Sequence, residues 1–325
     1  MAKLITGGTG YIGSELAHLL VERGEEVVLF DIVLNESRIE DIKDKVKMVR
    51  GDLGIWPDVL NAVMNNEITG IYHLGGVLSY TSEISPWLSF QTNVIGTYNV
   101  LEAARLSGVS KVVFSSTIGT FGLNANEALT DTTIQRPTLM YGCGKLYGEN
   151  LGRFYRNKFE LDFRSVRYPT VIGPDIRTQG HWAPPMIEDA IMGRQHECIY
   201  ATPDSRRPVI YLTDATRAID MLLNAPKEHI KMVNYNVSGI PDAVSVREVE
   251  MALTKRYPDT KISYNLERVK QEEKVRKDIF HTIKRFDDSY ARKEWGWKPE
   301  YATVEAIIEK FEKDFKEHPK RFGLK

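Results

Sequence analysis

The feature that most constrains this chain is a glycine run wedged between a strand-like segment and a helix-like one near its start. Leu4-Ile5-Thr6 is apolar and β-branched. Gly7-Gly8-Thr9-Gly10-Tyr11-Ile12-Gly13 then carries glycines at 7, 10 and 13, and Ile12 to Arg23 repeats apolar residues at helical spacing. Glycines so placed permit a tight turn and let backbone N–H groups approach an anion at the positive end of the helix. Because the run opens a βαβ unit, the anion it suits is the pyrophosphate of a dinucleotide, set against Gly7, Gly10, Tyr11, Ile12 and Gly13.

The rest of the first half keeps the same alternation. Glu26–Phe30, Val46–Val49, Gly70–Leu74 and Lys111–Ser115 read as further strands, while Trp56–Asn65 and Pro86–Leu106 have helical spacing. A helix over 144–157 and a strand over Leu161–Arg167 extend the series. Alternation of this kind specifies right-handed βαβ crossovers and a parallel sheet covered on both faces. The expected fold is α/β, a Rossmann-type doubly wound parallel sheet over residues 1–168, completed in part by later segments. After Tyr168 the texture changes: prolines cluster from Pro169 to Pro208, and short strands near Val209–Tyr211 and Met232–Asn236 alternate with helices near Asp214–Leu223 and Val246–Arg256. Thr303–His318 has one apolar helical face. Residues 169–325 are read as a smaller substrate-binding lobe.

Composition excludes several functions. Lysine and arginine total 43 against 44 acids, a net charge of −1, which provides no basic footprint for nucleic acid or anionic membrane. No apolar run approaches the roughly 18 residues of a membrane span. The glycine run follows the first residues so closely that no signal peptide is expected. Two cysteines, Cys143 and Cys198, make neither a disulfide framework nor a metal site. A cytoplasmic protein acting on a small molecule is the expectation.

Asp31 ends the second strand, where a carboxylate accepts hydrogen bonds from the adenosine ribose of NAD and repels the extra phosphate of NADP. Asp52-Leu53, after the third strand, is an adenine-edge contact or a plain turn. Tyr141-Gly142-Cys143-Gly144-Lys145 spells Y-x-x-x-K at the opening of a helix, so both side chains share one face. A second match, Tyr257 to Lys261, straddles a proline-aspartate turn and is set aside. Ser115-Ser116-Thr117 lies at the carboxyl end of the fifth strand, on the ligand-binding edge of the sheet.

Taken together these residues resemble the extended short-chain dehydrogenase/reductase family, the NAD-dependent epimerase/dehydratase group. The resemblance runs through Gly7–Gly13, Asp31, His73-Leu74-Gly75-Gly76, Asn93, Ser115–Thr117, Tyr141 with Lys145, and Arg206-Arg207 before Val209-Ile210-Tyr211. Ser116–Gly122, Ile134–Pro137, Leu161–Pro169 and Ala291–Pro299 look most like the short-chain type of L-threonine 3-dehydrogenase. The resemblance implies Tyr141 as general base, Lys145 as the cation that stabilises tyrosinate and reaches the nicotinamide ribose, and Thr117 as the hydroxyl holding the substrate oxygen. It further implies Leu74, Gly75, Gly76, Asn93, Ser115 and Tyr168 beside NAD, Ser79 beside the substrate, and a homodimer. The Pro86–Leu106 helix and the helix after Tyr141 are by resemblance dimer surfaces, and by composition equally inner helices covering the sheet.

Two departures bear on the substrate. Threonine dehydrogenases of this type follow the Arg-Tyr-Pro strand with a Gly-Thr-Thr-Asp-Tyr-Ala stretch. Here Thr178–Met186 offers the pair His181 and Trp182 instead, which makes threonine a poor substrate on this reading. Pro169-Thr170 stands where nucleotide-sugar epimerases carry an asparagine. Arg206 or Arg207 falls where relatives bind an anionic group. The leading expectation is hydride transfer between a secondary alcohol or ketone and NAD; a nucleotide-sugar epimerase or dehydratase with tightly bound NAD is the alternative.

Overall fold

The computed structural model describes residues 1–123, 127–276 and 282–319. Its first half alternates as β1 (Ala2–Thr6), α1 (Tyr11–Glu22), β2 (Val27–Asp31), β3 (Val46–Arg50), α2 (Trp56–Met64) and β4 (Ile68–His73). Three helices follow: α3 (Ser79–Ile84), α4 (Pro86–Ser89) and α5 (Gly96–Leu106), with a π-helical turn at Phe90–Ile95 joining the last two. Then come β5 (Lys111–Thr117), β6 (Ala128–Leu129), α6 (Met140–Phe159) and β7 (Asp162–Tyr168). The expected helix over Pro86–Leu106 is thus one helical run with an inserted π turn. Helix α6 starts four residues earlier than its apolar spacing suggests.

The second half contains β8 (Thr170–Ile172), α7 (Ala183–Ile191), β9 (His196–Cys198), β10 (Arg206–Tyr211), α8 (Leu212–Asn224) and β11 (Asn234–Asn236). It ends with β12 (Ile240–Ser245), α9 (Val246–Arg256), β13 (Ile262–Tyr264), α10 (Leu266–Arg276), β14 (Arg285–Phe286), α11 (Ser289–Trp295) and α12 (Val304–Glu317).

Seven parallel strands form the main sheet in the order β11-β7-β5-β4-β1-β2-β3. Both faces are apolar because successive residues of each strand point opposite ways. Ile5, Leu29, Tyr72, Val113 and Val166 pack on the face covered by α1 and α8. Leu4, Val28, Ile71, Val112 and Phe163 pack on the face covered by α2, α5 and α6. Strand order reverses between β1 and β4, which opens the ligand crevice of such sheets at the carboxyl ends of these two strands. Because β11 comes from after residue 168 yet pairs with β7, the two halves of the chain interleave. The second half also supplies four strands of a five-stranded sheet, β6-β14-β12-β10-β8, whose edge strand β6 comes from the first half, and it has its own core of Ile172, Met186, Tyr211, Val244 and Phe311.

Candidate active site

The glycine run forms the floor of the crevice. Gly7 has φ +67°, a conformation that disfavours side chains, and a Cβ on Gly7 would lie 2.8 Å from the Cα of Gly75. A Cβ on Gly13 would overlap the carbonyl oxygen of Gly7. Backbone and backbone therefore meet here with no room for side chains, leaving the loop surface open to a ligand. At the end of β2, the Asp31 carboxylate accepts from the Thr9 amide at 3.1 Å and the Thr9 hydroxyl at 3.0 Å, so it is fixed against this loop. The cradle and its adjoining carboxylate fit a dinucleotide with free ribose hydroxyls.

A cavity of about 450 Å³ continues from this floor. Tyr11, Ile12, Leu74 and Gly76 line its cofactor side; Ser115, Thr117, Tyr141 and Lys145 line its centre; Ser79, Thr178, His181 and Arg207 line its far side. Helix α6 approaches the sheet closely because its inner face is glycine. A Cβ on Gly148 would meet the Phe114 ring at 2.8 Å, and one on Gly152 would overlap the Phe163 ring. That approach brings Tyr141 and Lys145, one turn apart, against the end of β5.

Lys145 is almost wholly buried, and its ammonium donates to the Ser115 carbonyl at 2.8 Å. Its Nζ also lies 4.7 Å from the Phe114 ring centre and 5.8 Å from that of Tyr141. Burial lowers its pKa to about 8. Burial raises the Tyr141 phenol to about 12, partly offset by a hydrogen bond with the Thr117 hydroxyl. The Gly119 amide donates to Thr117 Oγ1 at 3.1 Å, which holds that hydroxyl in place. A phenol, an ammonium one turn on and a third hydroxyl can together take a proton from an alcohol oxygen.

The structure corrects several readings of the sequence. Arg206 is not in the cavity: its half-exposed side chain reaches the Ala243 carbonyl at 3.3 Å and Glu248 at 3.5 Å, and Arg207 lines the wall instead. Trp182 is 3% exposed and packs in the core of the second half, so His181 faces the cavity without it. Thr178 does line the wall, so the substrate loop keeps one hydroxyl. Asp52 and Leu53 lie in the turn after β3, outside the residues that line the cavity. The Asp52 carboxylate accepts from the Gly54 amide at 2.8 Å, and Leu53 is buried under the loop. Asn93 does not reach into the cavity either. Its side-chain oxygen accepts from the Val77 amide at 2.8 Å and its nitrogen donates to the Val77 carbonyl at 2.9 Å, clamping the segment after Gly76. Tyr168 presents its ring, while its hydroxyl donates to the Ala215 carbonyl at 2.7 Å.

Sequence reasoning passed over two supports. Glu83 lines the cavity and accepts from the Met140 amide at 2.7 Å, supplying the cap that the N-cap residue Leu139 does not give α6. Beneath α6, buried Glu149 accepts from Arg167 at 2.7 and 2.9 Å and from Ser116. A glutamate facing inward on the helix of Tyr141 was the available signal. Among the described residues no group of three or more His, Cys, Asp or Glu is placed to hold a metal ion.

Comparison with known proteins agrees with this geometry. The profile of the NAD dependent epimerase/dehydratase family matches residues 3–238. The chain belongs to that family. It is an enzyme of the extended short-chain dehydrogenase type, and its cofactor is NAD. It is 33% identical over 310 residues to the mitochondrial L-threonine 3-dehydrogenase of Bos taurus, covering 94% of this chain and 80% of that one. A GalE-like L-threonine dehydrogenase from Cupriavidus necator superposes with a TM-score of 0.85 at 28% identity, covering 96% of this chain and 99% of that one. The L-threonine dehydrogenase of Phytophthora infestans gives 0.85 at 30% identity, covering 97% and 100%.

Proposed function

We propose that this enzyme is a dehydrogenase that oxidises the secondary alcohol of a small polar substrate, or reduces the corresponding ketone. The observation that carries the reading is the placement of Tyr141, Lys145 and Thr117 in a cavity that Tyr11 and Ile12 of the glycine run also line. NAD, when bound, supplies the acceptor for the hydrogen and two electrons that leave the carbinol carbon. Thr117 Oγ1 holds the substrate oxygen beside the Tyr141 phenol oxygen, which takes the hydroxyl proton. A phenol at about 12 is a poor base at neutral pH, and an ammonium 5.8 Å from its ring centre, that of Lys145, favours its ionised form by simple electrostatics. Arg207 at the far wall suits an anionic group on the substrate, while Thr178, Gln179 and His181 shape the space around it.

The relatives named for L-threonine dehydrogenation support a β-hydroxy acid or β-hydroxy amino acid of threonine's size. The loop around His181 argues that threonine itself is not preferred. A screen of 3-hydroxy acids, β-hydroxy amino acids and nucleotide sugars, followed by NADH absorbance with analysis of products, tests this. Net NADH with a hydroxy acid is expected. Isomerised sugar with no net NADH would instead show an epimerase.

A homodimer accompanies this reading. Ile84, Trp87, Leu88 and Tyr98 are exposed on helices that pack against α6, which itself exposes Tyr147 and Phe154. Exposed apolar side chains on neighbouring helices suit a second copy of the chain, and a solution mass of one subunit would contradict it. Both cysteines are free thiols, which supports a reducing, cytoplasmic compartment. Among the described residues no helix is long and apolar enough to cross a membrane.

A further inference from the structure

His73 ends β4 directly below the cradle, and its ring is 1% exposed. Its Nδ1 lies 2.7 Å from the Thr6 hydroxyl and its Nε2 3.1 Å from the Thr97 hydroxyl. Each hydroxyl has one further partner. Thr6 Oγ1 accepts from the Gly75 amide at 3.1 Å, and Thr97 Oγ1 donates to the Asn93 carbonyl at 2.7 Å. A hydroxyl has one proton to give. Thr97 gives its proton to Asn93, so it must accept from His73, which puts a proton on Nε2. Thr6 already accepts from Gly75, so its own proton needs an acceptor, and only an unprotonated Nδ1 offers one. The opposite tautomer, or an imidazolium, would leave the buried Thr6 hydroxyl proton without a partner, a costly arrangement. Burial and the charge of nearby Lys145 also favour a neutral ring.

We infer that His73, as the neutral Nε2–H tautomer, is a positioning residue for NAD. It is the centre of a one-way chain of hydrogen bonds running from the Gly75 amide through Thr6, His73 and Thr97 to the Asn93 carbonyl. The inference rests on the dinucleotide reading of the cradle. The chain matters because Gly75 is in backbone contact with Gly7, so fixing Gly75 fixes the glycine loop from beneath. At its other end, Asn93 closes the same segment with its two side-chain bonds to Val77. Gly76, between these two anchors, faces the cavity opposite Lys145, whose Nζ would lie 3.4 Å from a Cβ there. The chain thereby sets the spacing between the pyrophosphate cradle and the Lys145 ammonium without touching either ligand.

The test combines nitrogen NMR of the histidine rings with calorimetry of NAD binding in the full-length protein. His73 should show a protonated Nε2, slow to exchange with solvent, and an unprotonated Nδ1 at neutral pH. Thr6→Val, which cuts the chain next to Gly75, should weaken NAD by roughly tenfold or more, while kcat at saturating NAD stays within about twofold of wild type. Thr6→Ser should restore affinity, and Thr97→Val, at the remote end, should weaken NAD less than Thr6→Val. His73→Leu should match or exceed the Thr6→Val loss. If it does not fold, the two threonine variants decide the matter. A protonated Nδ1, or NAD affinity in Thr6→Val within twofold of wild type, would overturn the inference. Calorimetry needs no alcohol substrate, so absence of dehydrogenase activity beside this pattern would count against the proposed reaction and leave the chain intact.

Discussion

Gly142→Ala offers a way to move Tyr141 while leaving the phenol, the Lys145 ammonium and the Thr117 hydroxyl chemically unchanged. Gly142 follows Tyr141 in the first turn of α6 and packs on the turn after β5. A Cβ there would overlap the carbonyl oxygen of Gly119, sit 3.0 Å from its carbon, and lie 2.9 Å from the Cβ of Pro137. These are backbone and ring atoms that cannot swing aside, so clearing them requires the start of α6 to withdraw by roughly 1 Å. Gly119 is also the donor to Thr117 Oγ1, so the withdrawal separates Tyr141 from the hydroxyl that holds the substrate oxygen. A misplacement of about 1 Å at reacting groups costs on the order of 10² in rate. The glycine loop and Asp31 are remote from this contact, so NAD affinity should change less than about threefold. Cys143→Ala, one residue on but exposed, is the control and should behave as wild type. The assay is steady-state NADH formation on the best substrate of the screen, with NAD binding by calorimetry. A Gly142→Ala enzyme with kcat within threefold of wild type would refute the reasoning, since it would show that the Tyr141–Thr117 spacing tolerates the shift.

Two further outcomes are expected. Asp31→Ala removes the carboxylate fixed beside the cradle, so NAD should weaken by roughly tenfold or more while NADP improves or holds, narrowing the gap between them; a wild type that prefers NADP would contradict the assignment. Asp131 gives a pH signature in stability: burial raises its pKa from 3.8 to about 7, although the Asn236 amide donates to it at 2.6 Å. A folded-state pKa above the unfolded one means the native state binds more protons between these values, so stability falls as pH rises from about 4 to about 7. Asp131→Asn should therefore melt above wild type at pH 8, with the difference closing as pH falls towards 4; a difference independent of pH would argue against it.

How much of this was legible in the sequence depends on the range of the interaction involved. The cradle is local, because Gly7, Gly10 and Gly13 act through their own turn and the helix it opens. Tyr141 and Lys145 were legible for the same reason, since helical spacing alone puts them on one face. Arg206 and Arg207 could not be separated, because neighbouring strand residues face opposite ways and only the pairing of Arg207 with Val244 decides which face meets the cavity. Trp182 misled because Pro184 and Pro185 start α7, and the core beneath that helix draws the indole inward. Glu83 was hidden by distance along the chain, 57 residues from the amide it caps. That later segments complete the sheet was legible, but the pairing of β11 with β7 was not, since three residues carry too little pattern to name their partner strand.

The central claim is that Tyr141 takes the proton as the substrate is oxidised, and Tyr141→Phe tests it most directly. The change removes one phenol oxygen and leaves the cradle, Asp31 and the Lys145 bond to Ser115 in place. NAD should bind within about threefold of wild type while kcat falls by roughly 10² to 10⁴. Lys145→Met should differ, weakening NAD as well and moving the rise of activity with pH to higher values, because the tyrosinate loses its neighbouring cation. Turnover near wild type in Tyr141→Phe, with NAD still bound, would mean that the proton leaves by another route and that this cavity works by a different mechanism.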